Sequence, residues 1–71
     1  MNNAAALAVG KNIKTLRENI GLSQQVLADK TGISRTYIGM MERGAVNPSI
    51  DKIHLIASAM GYCMDISFSK L

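Results

Sequence analysis

Four glycines, Gly21, Gly32, Gly44 and Gly61, cut this chain into short segments, each of which reads as one helix. Behind the first two comes the same signal. An apolar residue and a serine follow, Leu22-Ser23 and Ile33-Ser34. Each serine hydroxyl can accept from the open amides of a helical first turn, while the apolar residue staples to Leu27 or Ile38 five positions on. The loop Gly44-Ala45-Val46-Asn47-Pro48 carries the only proline, and after it Ser49 caps a fourth helix with Asp51 in its first turn. Val9, Ile13, Leu16 and Ile20 mark one face of a first helix from about residue 4 to residue 19. The third runs from Arg35 to Glu42 or Arg43, and Ile50, Ile53, Ile56, Ala57 and Met60 mark the apolar face of the fourth.

At 71 residues the chain is one domain near the lower size limit for a single core, so self-association is expected. Hydrophobic residues make up 48% of it, but only two Tyr and one Phe are aromatic, which calls for an aliphatic core of the kind helices build. The single cysteine, Cys63, can form neither an internal disulfide nor a metal cage. The first residues lack the basic-then-apolar order of a secretory signal, and the run from Ala4 to Val9 is too short to span a bilayer. A cytoplasmic location is expected. The formal net charge of +3 is unevenly spread: residues 1–50 carry six Lys or Arg against three Asp or Glu, residues 51–71 two against two. That asymmetry suits a polyanion-binding face in the front of the chain.

The end of the chain reads differently. Tyr62, Met64, Ile66 and Phe68 alternate with Cys63, Asp65, Ser67 and Ser69, the period of a half-buried strand. A lone strand has no hydrogen-bond partner, so the expected partner is the same tail of a second subunit, paired antiparallel about a two-fold axis. The alternative is a short fifth helix with Ile66 and Phe68 still at the interface.

Two short capped helices joined by a glycine turn have the geometry of a helix-turn-helix at residues 23–44, with small Ala28 where the helices approach and Leu27, Ile33, Ile38 and Met41 facing the core. This stretch, "SQQVLADKTGISRTYIGMMERG", resembles the Cro and lambda-repressor-like DNA-binding domains, the Xre-type family, with the likeness extending over about residues 10–60. Its third helix, with "RTYI" followed by "ER", is most similar to the controller proteins of restriction-modification systems. The resemblance implies an all-α, four- or five-helix domain, placed at residues 1–61; the tail at 62–71, read from its own alternation as a dimerisation segment, looks different from the ends of those controller proteins. The resemblance also implies a structural ion pair between Arg17 and Glu42, and a phosphate contact from Gln24.

With Ile38 and Met41 in the core, the exposed face of the third helix comprises Arg35, Thr36, Gly39 and Met40, expected to read bases in the major groove. Arg35 is the best reader, since a guanidinium donates two bonds to one guanine edge. Ser23, Tyr37, Arg43 and Asn47 join Gln24 as expected phosphate anchors. His54 has no Cys or acidic partners at metal spacing and reads as structural, and Cys63 as a small half-buried residue. No catalytic set or phosphate-cradling glycine loop occurs, so no enzyme, cofactor or metal is expected. The function expected is a sequence-specific transcriptional regulator acting as a homodimer on a palindromic operator in double-stranded DNA. The alternative is an antitoxin that regulates its own operon and also binds a toxin protein.

Overall fold

The computed structural model describes residues 4–71; residues 1–3 of the expected 1–61 domain lie outside the described residues. Four helices follow one another: α1 (Ala4–Asn19), α2 (Gln24–Thr31), α3 (Arg35–Glu42) and α4 (Ile50–Ala59). Every internal boundary has a local cause. Val26 N–H donates to Ser23 Oγ at 3.1 Å, Tyr37 N–H to Ser34 Oγ at 3.0 Å and Lys52 N–H to Ser49 Oγ at 3.1 Å, satisfying amides that the first turns leave open. Helix α2 ends at Gly32, whose φ of +75° is the left-handed conformation that lets its N–H close on the Ala28 carbonyl.

Helix α1 packs on α3, and α2 packs on both α3 and α4. Leu27 of α2, Ile38 and Met41 of α3 and Ile56 of α4 are wholly buried where they meet, with Ile13, Ala28 and Met60 completing the centre. Each of the large side chains contributes about 1.5–3 kcal/mol by leaving water. Val9, Leu16, Leu22, Ile33, Tyr37, Val46 and Ala59 close the periphery. No helix among the described residues is long and apolar enough to cross a membrane.

The buried line on α1 differs from the expected stripe. It runs Ala6, Gly10, Ile13, Arg17, while Val9 and Leu16 flank it and Ile20 is 41% exposed. Helix α1 crosses the last turn of α3 so closely that a β-carbon on Gly10 would overlap the Met41 carbonyl oxygen and lie 2.9 Å from that of Glu42. No side chain fits at position 10, where the helices come nearest, so Val9 and Leu16 stand to either side of the buried line while Ile13 continues into the core. Gly44 meets α1 from the other direction: its φ is +74°, and a β-carbon there would stand 2.9 Å from Leu7 Cα. In α4, Ile50 is 61% exposed because it occupies the first position after the cap, beyond the edge of the core; Ile53 and Ala57 are half-buried behind it.

Within one chain the tail takes neither of its two expected forms. Among the described residues there is no strand and no fifth helix; residues 62–71 are irregular, tethered at their start by Tyr62 N–H donating to the Ala57 carbonyl at 2.9 Å. Alternation alone does not make a strand, because its amides need the edge of another strand, which the four helices of one chain do not supply. Cys63 is exposed rather than half-buried.

Candidate nucleic-acid interface

The outward face of α3 is built on a buried charged frame. Arg17 Nε donates to Glu42 Oε2 at 2.7 Å and Nη2 to Oε1 at 2.9 Å, a two-pronged pair closed off from water at both side chains. Arg17 Nη1 donates to the Leu22 carbonyl at 2.8 Å, and Leu22 N–H returns a bond to the Arg17 carbonyl at 3.0 Å. One arginine therefore stitches the end of α1 to the turn before α2 and to the last residue of α3. Burial pushes the Glu42 carboxyl up, but the hydrogen bonds from Arg17 and Gln24 and the charges of Arg17 and Lys14 outweigh it, holding the group below its usual range. Its bond to Glu42 holds the Arg17 guanidinium above its usual value against the opposing effect of burial.

Gln24, expected to meet a phosphate, has its amide committed to this frame: Nε2 donates to Glu42 Oε1 at 3.0 Å. Its remaining N–H and its oxygen stay open for another partner. The frame thus orients the first residue of α2 from the last residue of α3.

The other end of α3 is held from α4. Lys52 Nζ lies 4.2 Å from the centroid of the Tyr37 ring, and Tyr37 is half-buried against the core. Lys52 was not among the residues singled out from sequence; its place in the first turn of a capped helix gave no hint of an aromatic partner. Ahead of Tyr37, Arg35 and Thr36 are exposed at the start of α3; between the two supports Met40 is half-buried. Gly39 departs from expectation, being buried beneath Arg43 and Gln24. Ser23, Arg43 and Asn47 are exposed, at the start of α2, the end of α3 and the loop beyond it. The chemistry offered is one short rigid helix presenting guanidinium and hydroxyl donors, bordered by further donors on both sides. No group of His, Cys, Asp or Glu able to hold a metal occurs among the described residues.

Two capped helices at a glycine turn, the second laid across the first and pinned at both ends, define a helix-turn-helix protein. The helix-turn-helix family model matches residues 13–65, and the chain belongs to that family, in its Xre-type branch. It is 38% identical over 55 residues to the immunity repressor protein of Bacillus phage phi105, spanning 78% of this chain but 38% of that protein. It is 37% identical over 62 residues to control protein C.BamHI of Bacillus amyloliquefaciens, spanning 86% of this chain and 76% of that one. The restriction-modification controller protein C.AhdI from Aeromonas hydrophila superposes with a TM-score of 0.79 at 37% identity, over 83% of this chain and 89% of that structure. The four-helix, lambda-repressor-like architecture expected from sequence is the one observed.

Proposed function

We propose that this protein is a sequence-specific DNA-binding transcriptional regulator that acts as a homodimer on a palindromic operator. The observation that carries the reading is the exposed start of α3: Arg35 and Thr36 stand clear of the core on a helix whose far end is anchored by the buried Arg17–Glu42 pair. Helix α3 enters the major groove, with Arg35 donating to a guanine edge and Thr36 and Met40 meeting neighbouring bases, thymine methyls included. Ser23, Gln24, Tyr37 and Asn47 hold the flanking phosphates.

One such helix covers too few bases for specific affinity, and a two-fold dimer presents two of them about 34 Å apart on one face of the duplex. The dimer contact falls on residues 62–71, where Tyr62, Ile66 and Phe68 are exposed and Met64 is half-buried. Phe68 is 96% exposed, and covering it is a gain for association. The tail takes its alternating form only when a second tail supplies the pairing edge. The names of the similar proteins, an immunity repressor, a control protein and a restriction-modification controller protein, agree with a regulator. No observation favours the antitoxin reading. Enrichment of a random DNA library on the protein tests the proposal: a palindromic sequence is expected, bound at least ~10³-fold more tightly than random DNA, and Arg35→Ala is expected to relax one position of each half-site. The absence of any enriched sequence would overturn it.

A further inference from the structure

Arg35, Gly39 and Arg43 are spaced four residues apart, so they form one outward stripe along α3. Side chains on a helix lean toward its N-terminus, over the residue four positions earlier, and for Arg43 that residue is Gly39. The guanidinium follows this rule: Arg43 Nη1 lies 3.3 Å from where a β-carbon of Gly39 would be. Gln24 borders the same bare spot, with Nε2 at 3.8 Å and Oε1 at 3.9 Å from that point, its amide fixed by Glu42. Arg43 is exposed and carries no ion pair among the described residues, since the only pair there joins Arg17 and Glu42. Its donors are therefore free, and they lie in the middle of the reading face rather than at its edge.

We infer that Arg43 is a base-reading residue, its guanidinium folded back over Gly39 to occupy the reading position that this glycine leaves without a side chain. The inference rests on the DNA-reading function proposed above and changes the role of Arg43 from the phosphate anchor expected from sequence. A phosphate anchor needs a charge near the backbone. A reader needs a planar fork aimed at a base edge, and the groove floor opposite the middle of α3 offers guanine N7 and O6 as two acceptors. Gly39 is then a specificity determinant through its lack of a side chain: any β-carbon there crowds the guanidinium at 3.3 Å and lifts it. Arg35 and Arg43 read different base pairs of one half-site, Arg35 from the first turn and Arg43 from the second.

The test is library enrichment with the full chain and two variants, together with the salt dependence of binding to the wild-type sequence. Arg43→Lys keeps the charge and loses the fork; Gly39→Ala keeps the arginine and displaces it, at a helical position that tolerates alanine. Both are expected to lose about tenfold of the preference for guanine at the same position of each half-site, with the salt slope unchanged. That shared position is what a merely structural role would not produce. Unaltered preference in both variants, or equal weakening on all sequences, overturns the inference while leaving the regulator reading intact. Failure of the wild-type protein to enrich any sequence overturns both.

Discussion

Replacing Gly10 by Ala separates two opposed effects by the sign of the result. In the middle of a helix, alanine is favoured over glycine by about 0.5–1 kcal/mol, so on helix propensity alone the variant is more stable. The structure says the reverse. The added carbon would overlap the Met41 carbonyl oxygen and lie 2.9 Å from that of Glu42, where ordinary contacts begin at 3.4 Å. Both obstacles are backbone atoms at the end of α3, so no side chain can swing aside and α1 itself must lift away from α3. Lifting it loosens Ile13 in the core, Leu7 against Gly44 and the 2.7 Å bond from Arg17 to Glu42. Overpacking of this kind costs about 1–3 kcal/mol, and because both obstacles are backbone the cost falls toward the upper end, leaving a net loss of about 2 kcal/mol after the propensity gain. Urea unfolding followed by far-UV circular dichroism, at one protein concentration, measures the difference. A variant as stable as the parent, or more stable, would refute the close crossing of α1 and α3.

Further outcomes follow from the same frame. Glu42→Ala leaves the buried Arg17 guanidinium and the Gln24 amide without their acceptor and is expected to destabilise by about 3 kcal/mol in the same unfolding assay. Because the folded-state pKa of Glu42 is depressed, its contribution is complete above about pH 4.3, the ordinary carboxylate value, and is lost as pH falls toward the depressed value. The urea midpoint should drop with acidification over that window, and less steeply in Glu42→Gln. Ser34→Ala removes the acceptor of the Tyr37 amide, with an expected cost of about 1 kcal/mol. Deleting residues 62–71 should give a folded monomer by sedimentation that no longer binds specific DNA; a truncated protein that stays dimeric would sink the tail's assigned role.

Helix boundaries were legible in the sequence because their causes are local. Ser23, Ser34 and Ser49 each bond an amide three residues on, and the glycines supply turns that other residues adopt at a cost. The α2–α3 core was legible for a related reason: Leu27, Ile38 and Met41 are large, apolar and correctly spaced. The buried face of α1 was legible only at Ile13, since periodicity finds large apolar residues whereas the close crossing puts Ala6 and Gly10 on the same line. Gly10 carried the usable signal, an isolated glycine inside a good helical segment. Exposure at Gly39 was misjudged because a helical wheel places side chains and not what folds back over them; its cover comes from Arg43 of the same helix and Gln24 of the one before. The form of the tail is not legible from one chain, because a strand is a property of two segments and the partner expected for this one is the tail of a second subunit.

The two supports of α3 have a thermodynamic consequence. At eight residues it is too short to stay helical alone, yet buried Ile38 and Met41 hold its inner face and Arg17 on Glu42 fastens its end, with Lys52 over Tyr37 a weaker contact at its beginning. Its ordering entropy is already spent in the free protein. Encounter with DNA then needs no coupled folding of the inserted element, and calorimetry should return a heat-capacity change set by the area covered on docking, without the larger increment of a segment that folds as it binds. Such a module suits a regulator that must find and leave its site quickly, with residence governed by the contacts made and not by the remaking of a helix.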